Sequence, residues 1–248
     1  MNRAIVCSLL CTLAVSAAAG CDPEPEVVVV QASAVEHGEA LFNDPAVAKT
    51  SFNDYACSTC HGESADPDGV VLPGAPLAGV TRRPSYWGGQ EVDLLRAVNH
   101  CLYYFMLKDV PYTADDVESR ALYAYLESIS GEGTSAEPAP FTVVGPVLDL
   151  PAGDAGRGAV VFNQACASCH GAPHTGEGRL VPRAPTLPEQ TIMEHPPEEY
   201  TPLERRLVFV EKTRHGGFLG YGGQMPPFSI EKLPDSDLAD LLAFFGVY

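Results

Sequence analysis

The feature that most constrains this chain is a five-residue pattern, Cys-x-x-Cys-His, which occurs twice in 248 residues. The first copy is Cys57-Ser58-Thr59-Cys60-His61, and the second is Cys166-Ala167-Ser168-Cys169-His170. With eight cysteines and seven histidines in the chain, chance would produce far less than one such match. Two copies therefore indicate two sites of the same kind, each built from a pair of cysteines and the histidine that follows them.

The spacing within each copy fits a covalently bound haem. One turn of helix places two thiols where they can reach the two vinyl groups on one edge of a porphyrin, and the next residue can then ligate the iron. A single Cys₄ zinc site and a redox-active dithiol are the alternatives, but neither requires a histidine after both cysteine pairs. We therefore predict two covalent haem c groups, each with its iron. The predicted haem-binding residues are Cys57, Cys60, His61, Cys166, Cys169 and His170.

The two motifs lie inside a longer repeat. Residues 38–43 and 158–163 share the pattern Gly-x-x-x-Phe-Asn before their motifs, and the first copy alone carries an insertion, residues 44–55. Each copy ends in apolar residues at helical spacing, followed by Gly131 or Gly246. Strand signals are weak, so we predict a mainly α fold of two tandem domains, each wrapped around one haem.

Composition suggests where these domains begin and end. We expect the first domain at residues 35–131 and the second at residues 153–248, joined by a linker at 132–152 that is rich in Gly, Pro, Ala and acidic residues. In the second domain, Thr201-Pro202-Leu203-Glu204 combines an N-cap, a proline at the first helical position and a capping-box glutamate. This run predicts the start of a helix.

The N-terminus indicates export. Residues 1–20 combine Arg3, a short apolar run and small residues before Cys21, as in a secretory signal peptide. The junction resembles a bacterial lipoprotein signal, which implies lipid on Cys21 and a tether at residues 21–34. Ordinary signal cleavage nearby is the alternative. We therefore expect an exported bacterial lipoprotein, anchored to a membrane and facing the periplasm or the cell surface.

The chain is strongly acidic, with 32 Asp and Glu against 15 Lys and Arg and a net charge of −17. Binding to nucleic acid requires a basic face, so this balance argues against a nucleic-acid partner. It suits docking to redox proteins that present basic faces, a donor and an acceptor of electrons. Solubility alone would also explain an acidic surface.

Each half resembles a class I cytochrome c domain, with a helix before Cys-x-x-Cys-His, a loop that carries a methionine, and a C-terminal helix. The resemblance runs from about His37 to Tyr248. It implies a small helical fold in which the terminal helices cross beside the haem, and electron transfer through the exposed haem edge. In the second half, Met225 lies in a Gly- and Pro-rich loop, residues 220–228, and the resemblance makes it the sixth ligand of the iron.

The first half offers two sixth ligands. Met106 lies 16 positions before Leu122 of the terminal helix, as Met225 lies 16 positions before Leu241. The run Val98-Asn99-His100-Cys101, followed by Met106, instead resembles the haem segment of thiosulfate dehydrogenases and related sulfur-oxidising dihaem cytochromes. That resemblance implies a cysteine ligand, Cys101, at a catalytic haem. We predict His61/Met106 ligation, with His61/Cys101 as the alternative.

Two functions follow from these ligand sets. The first is a dihaem cytochrome c that transfers electrons between redox partners, on its own or as a subunit that docks to a larger oxidase or reductase. The second is a thiosulfate dehydrogenase-type oxidoreductase in which Cys101 ligates the first haem and acts in catalysis. Fold alone does not decide between them, since the site determines the chemistry.

Several other side chains have an expected place. Arg82 and Arg83 either bind an anion or are surface charges, and Met193 is expected to pack in the interior. Large aromatic residues commonly pack beside cofactors in protein cores. The aromatic residues expected on or near the first haem are Tyr86, Trp87, Tyr103, Tyr104 and Phe105. The alternatives to Met225 as sixth ligand of the second haem are His174, His195 and His215, each of which is expected instead to be a surface or core residue.

Overall fold

The computed structural model describes residues 24–142, 144–145, 147, 149–219 and 224–247. Within them the chain is helical, with no strand and one isolated bridge between Tyr86 and Glu91. The prediction of a mainly α fold is thus confirmed. The helices are α1 Glu24–Asn43, α2 Cys57–Cys60, α3 Leu94–Tyr104, α4 Val117–Ser128, α5 Ala155–Val161, α6 Ala167–His170, α7 Glu189–Glu194, α8 Pro202–His215 and α9 Asp235–Phe244.

The predicted signal peptide, Cys21 and residues 220–223 of the methionine loop lie outside the described residues. α1 begins at Glu24, so most of the predicted tether, residues 21–34, is helical. None of the helices in the described ranges is both long and apolar enough to cross a membrane.

In the first half, α1 packs against α4. Gly38 permits this close crossing, because a β-carbon there would fall on the Ala121 carbonyl oxygen and reach the Tyr125 side chain. One turn further along α1, Phe42 packs its ring on Tyr125 with the centroids 5.2 Å apart. The glycine and the phenylalanine of the repeat thus form one helix contact.

The second half repeats this contact between α5 and α9. A β-carbon on Gly158 would fall on the Asp240 carbonyl oxygen and contact Phe244. The fully buried Phe162 then packs on Phe244, with the ring centroids 5.7 Å apart. The Gly-x-x-x-Phe pattern therefore encodes the same helix crossing twice.

The helix ends follow the local signals. Thr201 accepts a hydrogen bond from the Glu204 backbone, Glu204 accepts one in return, and Pro202 is the first helical residue, so the predicted start of α8 is confirmed. α4 ends at Ser128 and α9 at Phe244, each a few residues before the expected glycine.

Two apolar cores lie beside these helix pairs. The first contains Phe42, Leu102 and Leu122, and the second contains Phe162 and Leu238. The cores do not divide cleanly at the predicted linker, because Val181 from the second half is buried in the first core. The domain boundaries given above stay predictions.

Polar contacts also join the halves. The Lys232 ammonium lies 2.6 Å from a carboxylate oxygen of Asp66, and both side chains are mostly buried. Nearby, the Val71 amide donates a hydrogen bond of 2.9 Å to the Gln164 carbonyl. Both contacts link the chain just after the first motif to the second half, so the regions around the two motifs are neighbours.

Candidate haem sites

The first motif forms the short helix α2 and ends on His61. The Nδ1 atom of His61 lies 2.8 Å from the Ala75 carbonyl oxygen, which favours the tautomer whose Nε2 carries no proton and could ligate a metal. Burial lowers the pKa of His61, so the ring is neutral, as an iron ligand must be. Gly74 lies so close that a β-carbon there would clash with the imidazole.

The second motif follows the same plan. Cys166 ends a π-helical turn, and α6 carries Cys169 and His170. The Nδ1 atom of His170 lies 3.0 Å from the Pro185 carbonyl oxygen, and burial lowers the pKa of this histidine as well. A backbone carbonyl on Nδ1 is a common partner for a histidine that ligates a metal through its other nitrogen. Both motifs therefore fit a haem whose iron is bound by histidine.

The motif cysteines meet across the two halves. Burial raises the pKa of Cys60 well above its ordinary value, and the neighbouring thiols of Cys169, Cys101 and Cys57 raise it further. The Tyr55 hydroxyl is hydrogen-bonded to Cys169. The cysteine edges of the two predicted haem sites are thus adjacent.

These thiols are not arranged as a zinc site. The five described cysteines are free of disulfides. Across the ranges that the structure describes, no group of three or more His, Cys, Asp or Glu is arranged to hold a metal ion. The four motif cysteines therefore do not converge into the Cys₄ site that was the alternative to haem.

Both candidate sixth ligands of the first haem lie near the first motif. Met106 is 5% exposed within the first core, and the partly buried Cys57 packs against this core. Cys101 lies on α3, and burial together with Cys57 raises the pKa of its thiol to about 12. The Met106 amide is bonded to the Cys101 carbonyl at 3.4 Å, so the two sulfur-bearing residues share one short turn. Met106 and Cys101 are thus two candidate sulfur ligands that lie close together beside the first motif.

Met225, the predicted sixth ligand of the second haem, packs against the second core. Its carbonyl accepts a 2.8 Å hydrogen bond from the Gly217 amide, which ties the loop to the end of α8. By contrast, Met193 is 72% exposed, so the expectation that it packs in the interior is wrong. Met193 lies on the outer face of the short helix α7.

The remaining histidines expected to be surface or core residues have protein partners. His174 pairs with Glu189, His195 bonds the Thr191 carbonyl at 2.8 Å, and His215 bonds the Val144 carbonyl at 2.8 Å. These contacts occupy one ring nitrogen of each histidine. They agree with the structural role expected for all three.

Arg82 and Arg83 both donate hydrogen bonds to backbone carbonyls. Arg82 donates to the carbonyls of Ser130, Gly131 and Thr134, which close the turn after α4. Arg83 donates to two carbonyls at 2.7 and 3.0 Å in the loop after the first motif. Arg82 is exposed, as expected for a surface charge, whereas Arg83 is only partly exposed, and both guanidinium groups hold backbone in place.

The aromatic expectations hold only in part. Trp87 stacks on the buried Phe105 with the ring centroids 6.0 Å apart, beside the first core. Tyr103 is 61% exposed and Tyr104 is 46% exposed, so these two side chains lie outside the first core, and their expected place near the first haem stays a prediction. The cause is helical spacing, since α3 turns its buried face, with Leu102, away from them.

An apolar cleft of about 280 Å³ separates α3 from α4. Leu95, Val98, Tyr112 and Leu122 line it and also belong to, or pack against, the first core. The cleft thus lies beside the core that contains Met106 and against which Cys57 packs.

Sequence reasoning missed three groups at these sites. The carbonyls of Ala75 and Pro185 carry no side-chain signal, although both belong to Ala-Pro dipeptides at similar distances after their histidines. Asn53 was also missed, and it lies in the insertion that distinguishes the first copy. That insertion was the available signal.

Comparison with known proteins bears on the second half most directly. Residues 153–245 match the protein family described as "Cytochrome C oxidase, cbb3-type, subunit III". A solved structure of thiosulfate dehydrogenase from Marichromatium purpuratum, in its "as isolated" form, is similar over 87% of this chain, with 19% identity and a TM-score of 0.43. This chain covers 46% of that one, so it spans about half its length. No curated protein sequence matched. The family match shows a cytochrome c domain, which implies covalent haem c and a haem-based redox function.

Proposed function

We propose that this chain is an exported dihaem cytochrome c that transfers electrons between redox proteins, with one haem c in each half. The observation that carries the proposal is the matched pair of histidines. His61 and His170 each follow two cysteines, and each holds Nδ1 against a backbone carbonyl 14 or 15 residues later. The family match covers only the second half, and the repeated geometry supports the same cofactor in the first.

In this proposal each motif supplies two thioether bonds and one iron ligand. Met225 completes the second site, and Met106 completes the first. The bound haem would supply a one-electron iron centre. The protein residues would attach it, exclude water from its faces and fix the neutral tautomer of each histidine through the carbonyl contact.

The adjacency of the motifs supports transfer within the chain. Tyr55 belongs to the first half and bonds Cys169 of the second, while Cys60 is a neighbour of the same thiol. Because the cysteines attach to the haem edges, the two haem edges would lie close together. An electron that enters at one haem could therefore leave from the other.

The charge and the N-terminus suggest where this transfer takes place. A net charge of −17 favours redox partners that present basic faces, which would be steered to the chain at low ionic strength. Lipid on Cys21 would hold the protein at a membrane surface, facing the periplasm or the cell exterior. Replacement of Cys21 by Ala is then expected to release protein that still binds both haems.

A thiosulfate dehydrogenase-type oxidoreductase is the second candidate. The observation in its favour is that Cys101, the one cysteine outside the motifs among those described, lies beside Cys57 and Cys60. A thiolate at this place would be an anionic ligand that favours ferric iron. It would also present a reactive sulfur to a sulfur substrate.

Spectra and an activity assay on three proteins separate the two candidates. If the protein is an electron carrier, wild-type protein should take up two electrons reversibly and should not oxidise thiosulfate. Met106→Ala should then alter the ferric spectrum of the first haem. If the protein is an oxidoreductase of this type, wild-type protein should have a low-potential haem and should oxidise thiosulfate. Both properties should disappear in Cys101→Ala. The latter result would overturn the proposed carrier function.

A further inference from the structure

The insertion in the first copy has no counterpart in the second. Cys57 follows Asn43 by 14 positions, whereas Cys166 follows Asn163 by three. In the second half the chain runs as helix from Ala155 to His170, through the π-helical turn. In the first half residues 44–55 leave α1, bury Val47 and Ala48 in the first core, and only then reach the motif. Such an insertion needs its own explanation.

Asn53, near the end of this insertion, connects the two halves. Its side chain is buried, and its amide nitrogen donates two hydrogen bonds of 2.9 Å, one to the Phe105 carbonyl and one to the Gln224 side-chain oxygen. An amide has two N–H groups, so both are used. The acceptors belong to the residues immediately before Met106 and Met225. One buried amide thus joins the two segments that carry the predicted sixth ligands.

Two neighbours of Asn53 extend this connection. The Asn53 side-chain oxygen accepts a bond of 3.3 Å from the Tyr55 amide, and the buried Tyr55 is hydrogen-bonded to Cys169 of the second motif. The Phe52 ring lies 4.5 Å from the Arg183 guanidinium carbon. Three residues of the insertion therefore contact three separate segments of the second half.

We propose that residues 44–55 form an inter-haem clamp in which Asn53 is the positioning residue. The clamp fixes the position of the Phe105 carbonyl, just before Met106, relative to the Gln224 side chain, just before Met225. It rests on the proposed function, since it has a redox role only when both halves bind haem. Asn53 touches neither iron nor porphyrin in this proposal, and it acts through the segments that it joins.

The physical consequence is coupling between the two sites. A buried N–H that loses its acceptor is left unsatisfied, so a shift of either segment is opposed by the other. The position of an axial sulfur influences the relative stability of ferric and ferrous haem. A change at Gln224 should therefore alter the potential of the first haem as well as that of the second, although Gln224 belongs to the second half.

The test uses full-length protein with both haems attached and four variants. Gln224→Ala removes one acceptor, Asn53→Ala removes the donor, and the double variant removes both. Asn43→Ala is the matched control, because its exposed amide bonds only the Glu39 carbonyl within α1. Haem content is counted for each protein. The two reduction potentials are then measured by spectroelectrochemical titration and assigned with protein that lacks the cysteines of the second motif.

We expect Gln224→Ala to change the reduction equilibrium constant of both haems, by about two- to fivefold for the loss of one buried hydrogen bond. The double variant should match Asn53→Ala at both haems, because the two changes break the same bond. Asn43→Ala should leave both potentials unchanged. If Asn53→Ala does not fold, the potentials of Gln224→Ala alone test the clamp. This variant should fold, because the Gln224 side chain is only partly buried.

The opposite results separate the two proposals. Suppose that wild-type protein binds two haems. If Gln224→Ala then shifts the potential of the second haem alone, or if the shifts of the two single variants add in the double variant, the clamp is wrong and the dihaem function stands. If wild-type protein binds fewer than two haems, the proposed function is wrong, and the clamp falls with it.

Discussion

The two halves of the molecule share the parts that would hold a haem and differ in the path that leads to it. Gly38 and Gly158 permit matching helix crossings, and His61 and His170 contact matching carbonyls. The second half reaches its motif by continuous helix, whereas the first inserts residues 44–55, which contact the other half. The repeat is preserved where each motif is positioned, and it differs where the two halves meet.

The halves also differ on the side of the sixth ligand. In the second half the sulfur that the repeat predicts is Met225, and the other methionine, Met193, is exposed. In the first half Met106 and Cys101 share one turn. The second site thus offers one candidate sulfur ligand and the first offers two, so different chemistry could arise at the first.

The helix crossings provide the test with the largest expected effect on stability. Gly38→Val and Gly158→Val should each lower the free energy of unfolding by about 3 kcal/mol, because a side chain at either position meets the backbone of the partner helix. Chemical denaturation of each holoprotein measures this effect. Gly131→Val is the matched control, since a β-carbon there has no neighbouring atom within 4 Å. Equal losses in all three variants would contradict the shared crossing.

Removal of the predicted methionine ligand tests the second site. Met225→Ala should change the ferric spectrum of one haem and lower its potential, because a thioether favours ferrous iron relative to harder ligands. Met193→Ala is the control, since that side chain is 72% exposed, and it should change neither property. Unaltered spectra in Met225→Ala would mean that another residue ligates the second iron.

The smallest expected effect concerns acid stability. A hydrogen bond from Arg96, with backbone amides of Asp93 and Val92, lowers the pKa of Glu91 to about 2. A lowered carboxyl pKa in the folded state gives stability that is present above the unfolded pKa and lost as pH falls through the folded pKa. Glu91→Gln should therefore flatten the decline in stability between about pH 4.5 and pH 2. Denaturation at several pH values checks this, and an unchanged slope would contradict it.

The second half has a counterpart to this ion pair, which extends the same test. A hydrogen bond from Arg157 lowers the pKa of Asp240, with a further contribution from the Asp154 amide. Asp240→Asn should therefore reduce the acid sensitivity of the second half in the same direction. If Asp240→Asn lost stability on acidification as steeply as wild-type protein, the contact between Arg157 and Asp240 would not explain the acid sensitivity of the second half.

Local sequence signals predicted the helices well. The Thr201 capping box and the apolar spacing in α4 and α9 are encoded within a few residues, and the structure has these helices where they were expected. The same holds for the Gly-x-x-x-Phe repeat, whose glycine and phenylalanine meet the terminal helix in both halves.

Contacts between distant residues could not be predicted in this way. The bond from Asn53 to Gln224 joins positions 171 residues apart, and nothing in the composition of either segment indicates it. The acceptors of Arg82 could not be predicted for the same reason, because its carbonyl partners lie about 50 residues away. The exposure of Tyr103 and Tyr104 was not predicted either, because it follows from their place on α3 and not from their size.

The most direct test of the central claim is the mass of the purified holoprotein together with the masses of its motif peptides. The account predicts two haems per chain, one attached through Cys57 and Cys60 and one through Cys166 and Cys169, and a pyridine haemochrome assay should give the same number. A chain that carries one haem, attached to the second motif alone, would contradict the account. The contact between the His61 ring and the Ala75 carbonyl would then not indicate a haem site.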